Sequence, residues 1–219
     1  MYLILLGPPG TGKGTQAKRV AQELGLLHIA TGDMFREAVQ QDTELGKRAN
    51  TYMEKGELVP DELTIAMLVD RIQQPDAQTG VIFDGYPRTL QQAQALDQAL
   101  AGQGKAVDTA LHLTASDDEM VRRLTGRWLC GGCGEIYHQE HRPPKQAAIC
   151  DACGSELRQR DDDKPDVVRE RLRRQRPPEE LLAHYSTQGK LIDVDGEQEV
   201  EAVTRDLLAS IQQHSSAVH

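Results

Sequence analysis

The chain has 219 residues, enough for a substantial core and better suited to one domain carrying an insertion than to two equal halves. Its 38% hydrophobic and 27% charged residues are ordinary for a soluble globular protein, and no apolar run approaches the ~20 residues of a membrane span. With 25 basic against 34 acidic side chains the net charge is -9, the sign opposite to that of a general nucleic-acid binder.

Short apolar runs alternate with amphipathic segments, which predicts an α/β fold with a parallel sheet covered by helices. The first strand, Tyr2–Leu6, leads straight into glycines, so no cleavable signal peptide is expected and the cytoplasm is the default address. Ala17, Val20, Ala21 and Leu24 then mark one face of a helix, and residues 26–30 form a second strand. Residues 30–59 read as helices with no strand between them, an inserted helical unit. Ile65, Leu68, Val69 and Ile72 give the next helical face, and strands are expected at 81–84 and 108–114. Ser116 followed by Glu119 reads as a capping box opening the helix that carries Arg122 and Arg123. Residues 126–163 are rich in Gly, Pro and Cys and too long for an ordinary connection, so they predict a small subdomain such as a lid. The chain closes with a strand at 190–194, a helix on Val200, Val203, Leu207, Leu208 and Ile211, and a frayed tail at 214–219. The core is thus expected in three pieces, residues 1–29, 60–125 and 164–219.

Between the first strand and first helix lies Gly7-Pro8-Pro9-Gly10-Thr11-Gly12-Lys13. Glycines let successive N–H groups turn inward toward phosphate oxygens, and the following helix N-terminus adds a favourable dipole. Lys13 reaches toward the β- and γ-phosphates in such a loop, a P-loop. Gly14 follows where the common pattern has Ser or Thr for magnesium, and Thr15 comes one residue later. The apolar strand 81–84 ends in Asp84, and ligands of doubly wound sheets sit beyond the carboxyl ends of strands. Asp84 is therefore placed to organise magnesium through its water shell, although a strand-ending Asp making a turn is the plainer reading of that residue alone.

All four cysteines fall in Cys130-Gly-Gly-Cys133 and Cys150-Asp-Ala-Cys153, sixteen residues apart and each pair followed by glycine. Two such turns bring four thiolates into a tetrahedron, the geometry of structural zinc; redox or disulfide pairing is the rival reading. Four protein ligands leave no open coordination position, so the metal would hold the lid together and take no part in chemistry. His138 lies close by and is expected to be a loop histidine.

Taken together, residues 7–16, Thr31-Gly32-Asp33-Met34, Asp84-Gly85-Tyr86-Pro87-Arg88-Thr89, Gly126-Arg127 and residues 160–163 resemble adenylate kinases of the long-lid bacterial type with a four-cysteine zinc lid. The likeness spans essentially the whole chain. It implies a P-loop three-layer fold with a central five-stranded parallel sheet, an AMP-binding helical insertion and a zinc-ribbon-like lid. It implies reversible, direct in-line transfer of the terminal phosphoryl group of Mg-ATP to AMP, giving two ADP in a closed, water-excluded site. ATP would be held by Gly10, Thr11, Gly12, Lys13, Gly14 and Thr15, with Arg123, Arg127 and Tyr137. AMP would be held by Thr31, Gly32, Arg36, Gly85 and Arg88, with Arg160 and Arg171, and its base by Glu57, Val59 and Gln92. Lys13, Arg88, Arg123, Arg127, Arg160 and Arg171 would surround the transferring group. Asp33 and Asp84 would lie near the magnesium waters, and Asp162 and Asp163 would anchor the closed lid.

Arginine suits those roles, since its planar fork matches phosphate oxygens and keeps its charge. The phosphate of AMP is already an anionic nucleophile, so no general base is required. Arg173, Arg174 and Arg176 read as surface charges. Two alternatives stand beside this reading. One is a kinase for UMP, CMP or GMP, against which the long lid and the pairing of Thr31 with Gln92 argue. The other is a nucleic-acid ATPase with a zinc ribbon, against which stand the acidic charge and only 4% aromatic residues for stacking. The partners expected are small nucleotides, with no nucleic acid, no membrane and a monomeric chain.

Overall fold

The computed structural model describes residues 1–217. In chain order it runs β1 (Tyr2–Leu6), α1 (Lys13–Leu24), β2 (Leu27–Ala30), α2 (Thr31–Gln40), α3 (Glu44–Met53), α4 (Asp61–Ile72), β3 (Val81–Asp84), α5 (Leu90–Ala101), β4 (Thr109–Thr114) and α6 (Asp117–Thr125). Three short strands follow, β5 (Arg127–Cys130), β6 (Ile136–His138) and β7 (Leu157–Arg158). Last come α7 (Pro165–Arg174), α8 (Glu179–Ser186), β8 (Leu191–Asp195) and α9 (Val200–Ala217).

The larger sheet has strand order β2-β3-β1-β4-β8 and is parallel throughout. Every residue of β1 is buried, which is why its sequence is one continuous apolar run. Alternation along the strand feeds two cores. Tyr2, Ile4 and Leu6 pack with Leu68 of α4, Leu96 of α5 and Leu181 of α8. Leu3 and Leu5 face the other way, onto Val20 of α1 and Val203 and Leu207 of α9. Each such fully buried aliphatic side chain contributes roughly 1.5–3 kcal/mol of transfer free energy, so helices on both faces are what keep a parallel sheet folded. The chain crosses from one side of β1 to the other, and the crevice at this switch opens beyond the carboxyl ends of the strands.

Helices α2 and α3 form the inserted unit, with its own small core of Phe35, Ala49 and Val59. Thr43 caps α3, its Oγ1 accepting from the Gly46 N–H at 3.0 Å. The cysteine-rich stretch folds as a three-stranded antiparallel sheet, order β6-β5-β7. Its buried residues are Cys130, Tyr137, Cys150 and Leu157, with Trp128 packed against them. Trp128 is thus partly buried, covering the core of this small unit. So few apolar groups do not hold a separate body together by burial alone.

The expected strands of the larger sheet appear with each end within one residue. Three other expectations are corrected. Ser116 precedes α6 but makes no side-chain cap, and its N–H is taken by Glu197 Oε1 at 2.5 Å. Glu119 is drawn away by Arg123 Nε at 2.5 Å and Arg122 Nη2 at 2.6 Å, stronger charge-assisted partners than a backbone amide. His138 is the last residue of β6, not a loop residue: its Nδ1 accepts from the N–H groups of Glu140 and His141, and Nε2 lies 3.2 Å from the Arg122 carbonyl. The frayed tail is a continuation of α9 through Ala217, while Val218 and His219 lie outside the described residues. Among the described residues no helix is long and apolar enough to cross a membrane.

Candidate active site

The turn from β1 into α1 is possible only with glycine at its corners. Gly7 has φ 138°, and a Cβ there would lie 2.4 Å from the Leu113 carbonyl oxygen; at Gly10, φ 91°, it would press on the Met120 backbone at 2.9 Å. Thr11 Oγ1 and Lys13 Nζ both donate to the Pro8 carbonyl, at 2.9 and 2.8 Å. Helix α1 begins after Gly12 with no side-chain cap and no acidic residue in its first turn, where Lys13, Gly14 and Thr15 stand. Its terminal N–H groups and dipole are left for an anion. Burial drives Lys13 down to about 7, against the attraction of Asp84.

Asp84 closes β3 beside this loop, near enough that a Cβ on Gly14 would sit 3.3 Å from its Oδ2. His28 Nε2 approaches the same oxygen at 3.4 Å without hydrogen-bond alignment and has no other partner. Burial works to raise the Asp84 carboxyl, but His28 and the Lys13 charge outweigh it and hold it below the usual carboxylate range. The sequence offered no sign of His28, which reads there as one residue of an apolar strand.

Opposite the loop, arginines converge. Arg88 donates from Nε to the Gly85 carbonyl at 2.8 Å and from Nη1 to Gln175 Oε1 at 2.7 Å. Burial first, and then the charge of Arg171, pulls it down to about 10. Arg160 is likewise brought to about 10 by burial and by Arg36 and Arg127, and its buried Nε has no partner. Arg36 pairs with Asp33 at 2.5 Å, and Arg160 reaches the same carboxylate at 3.6 Å. Arg127 grips Asp163 with two bonds of 2.8 and 2.6 Å. Arg171 shares that carboxylate at 3.0 Å, touches Asp162 at 3.3 Å, and leaves its own buried Nε unpaired. Asp163 is fully buried between the two guanidinium groups. Burial favours the neutral form of Asp162, yet Arg171, Arg36 and Arg160 keep it well ionised. A cleft of about 190 Å³ lies between the loop and these arginines, lined by Gly7 and Lys13 of the phosphate loop together with Leu58, Gly85, Arg88 and Thr89.

Thr31 Oγ1 donates to the Gly85 carbonyl at 2.9 Å, placing Thr31 and Gly32 at the start of α2 next to Arg88. Gln92 is buried in the first turn of α5, its Nε2 donating to Asp61 Oδ1 at 2.7 Å and its Oε1 accepting from the Arg88 N–H at 2.8 Å. Val59 lies in the core of the inserted unit, and the Glu57 carboxylate pairs with Arg174 at 2.5 Å. Gln175 Nε2 donates to the Gly56 carbonyl at 2.8 Å, so one amide bridges the 56–57 loop and Arg88. Neither Asp61 nor Gln175 stands out in the sequence: one reads as a first-turn helix acid, the other as part of a charged helix end.

Two expected residues stand apart from this convergence. Arg123 pairs with Glu119 at 2.5 Å and donates to the Gly196 carbonyl at 2.7 Å, bracing the loop after β8 whose Gly196 abuts Thr11. The Tyr137 ring is buried in the small sheet, and its hydroxyl meets Cys150 Sγ at 3.5 Å and accepts from the Asp151 N–H at 2.7 Å. That side chain is committed to the cysteine cluster and not to the cleft. Arg173, Arg174 and Arg176 are exposed and pair with Glu170, Glu57 and Asp117.

The four cysteine sulfurs lie within 4.8 Å of one another, with 3.3 Å between Cys130 and Cys153 and 3.6 Å between Cys133 and Cys150. Tetrahedral thiolates around a metal at 2.3 Å stand about 3.8 Å apart, so the group fits such an ion. The N–H groups of Gly132 and Cys133 point at Cys130 Sγ, at 3.3 and 3.4 Å, and stabilise negative sulfur there. The Tyr137 hydroxyl helps bring the Cys150 thiol down to about 6.

The family model for adenylate kinase matches residues 5–190. An adenylate kinase of Archaeoglobus fulgidus is 50% identical over 217 residues, covering 99% of this chain and 100% of the relative. Adenylate kinases of Methanocella arvoryzae and Salinispora tropica are 47% and 49% identical, over 97% and 98% of this chain and 99% and 100% of theirs. A match of this extent, laid over a phosphate loop that faces a cluster of buried arginines, places the chain in the adenylate kinase family.

Proposed function

We propose that this protein transfers the terminal phosphoryl group of Mg-ATP to AMP, reversibly and in line, giving two ADP. The observation that carries this reading is the cluster of Arg88, Arg160 and Arg171 facing the phosphate loop, with two unpaired buried Nε donors and two guanidinium groups brought down to about 10. Mutually repelling, desolvated cations need anions between them, and phosphates on both sides of the cleft supply them.

ATP lies with its phosphates in the loop of Gly10, Thr11, Gly12, Lys13, Gly14 and Thr15. AMP lies beyond Thr31, Gly32 and Gly85, its phosphate on Arg36 and Arg88 and its base beside Glu57, Val59 and Gln92. Its phosphate oxygen attacks, so the residues neutralise and position charge and move no proton. Arg127, Arg160 and Arg171 close around the transferring group, and Arg123 braces the wall behind it. The segment 126–163 acts as a lid that excludes water, with Asp162 and Asp163 tying its arginines to α7. Asp84 and Asp33 would hold, through waters, the magnesium that accompanies ATP and lowers its charge. Cys130, Cys133, Cys150 and Cys153 would hold zinc, which supplies rigidity to the lid. The protein is read as a monomer of the cytoplasm, where a reducing environment keeps four cysteines available to a metal and out of disulfides.

Initial rates with Mg-ATP and each of AMP, GMP, CMP and UMP test the assignment. AMP is expected to be preferred, with Arg88→Ala lowering its kcat/KM by roughly 100-fold or more. Preference for another monophosphate, or wild-type rates in Arg88→Ala, would overturn it.

A further inference from the structure

Gln92 is held in a way that decides which face of its amide is which. Nε2 gives one proton to Asp61 Oδ1 at 2.7 Å, and Oε1 accepts from the Arg88 backbone N–H at 2.8 Å. A carboxylate has no proton to give and a backbone N–H has no lone pair, so neither partner tolerates the amide turned over. Asp61 is fixed in its turn, because Thr89 Oγ1 donates to its Oδ2 at 2.6 Å while that hydroxyl caps α5 by accepting from the Gln92 N–H at 3.2 Å. The Gln92 carbonyl accepts from Tyr86 Oη at 2.9 Å, which holds the backbone as well.

After these bonds the amide keeps one N–H and one lone pair, side by side and in a set order. The purine bases differ in that order. Adenine presents the N6 donor beside the N1 acceptor, whereas guanine presents the O6 acceptor beside the N1–H donor. A glutamine free to turn serves either base, since half a rotation exchanges its oxygen and nitrogen. A locked one matches a single order and meets the other with oxygen facing oxygen and hydrogen facing hydrogen. Because Gln92 is buried, its amide does not turn in solvent, and whatever opens the site presents it as its partners dictate.

We infer that Asp61 is a specificity-positioning residue, which together with the Arg88 N–H locks the Gln92 amide against rotation and so disfavours guanine nucleotides at the monophosphate site. This rests on the reading of Gln92 as the group that meets the acceptor's base. Asp61 touches no substrate itself. Asp61→Asn keeps the size of the side chain and an acceptor for Thr89, but its amide can turn to give a proton to Gln92 Oε1, so the Asp61 side of the lock is released and the Arg88 N–H alone holds the orientation.

The test is the ratio of kcat/KM for AMP to kcat/KM for GMP, in wild type, Asp61→Asn and Gln92→Leu, at saturating Mg-ATP. The ratio cancels any unfolded fraction, and simple loss of structure would lower both terms alike. Asp61→Asn is expected to lower it by about fivefold, the worth of one of the two locking hydrogen bonds, mainly through a lower KM for GMP, with KM for ATP unchanged. If Gln92→Leu collapses the ratio and Asp61→Asn leaves it within about twofold of wild type, the locking role is wrong and the base reading stands. If Gln92→Leu leaves the ratio intact, the base reading fails and the role of Asp61 falls with it.

Discussion

Lys13 stands in the phosphate loop with its ammonium on the Pro8 carbonyl and burial holding it at about 7. A bound phosphate favours the charged form and raises that value, so between about pH 7 and pH 10 the ATP complex binds more protons than the free protein. The sign follows: ATP affinity is full below about pH 7 and weakens as pH rises above it. Calorimetric titration of ATP at about pH 8, in buffers of different ionisation enthalpy, is expected to show close to one proton taken up, and Lys13→Met none. Absence of uptake in wild type would show that Lys13 does not meet the phosphates. Individual residues were unequally legible. The loop and the cysteines announce themselves through local spacing, whereas Arg36 and Arg88 stand out only through the resemblance to a family. Asp61 and Gln175 act through hydrogen bonds to residues 31 and 87 positions away, which no local pattern encodes.

Among the elements, buried parallel strands were the most readable, because burial on both faces writes an uninterrupted apolar run. The start of α6 was misread because Arg122 and Arg123, one turn on, compete for Glu119 more strongly than the backbone does. Segment 126–163 could be read as a unit with a metal site but not as a sheet, since strands of two to four residues carry too little periodicity. Its apolar cluster has only four buried residues, with Trp128 packed against them, too few to hold the unit without the cysteine cluster. Chelation of the metal is expected to cost about 2 kcal/mol or more, roughly 4–8 °C in Tm at this chain length, with activity at low temperature affected less. An unchanged melting curve after verified metal loss would contradict a structural role.

At the scale of the whole molecule, a chain of net charge -9 gathers its buried positive charge in one cleft. The sheet delivers the phosphate loop and Asp84 to one edge, the inserted helices bring Arg36, and α7 brings Arg171 from beyond the small sheet. Arg127 and Arg171 meet on the buried Asp163, so the small sheet and α7 share one carboxylate and are positioned together. This arrangement suits transfer between two bound nucleotides with water kept out, and it makes hydrolysis the outcome to exclude. The most direct measurement is phosphorus NMR of ATP, AMP and magnesium incubated with the protein. Two ADP should appear for each ATP and AMP consumed, with no inorganic phosphate; inorganic phosphate rising while AMP stays constant would contradict phosphoryl transfer as the function of this site.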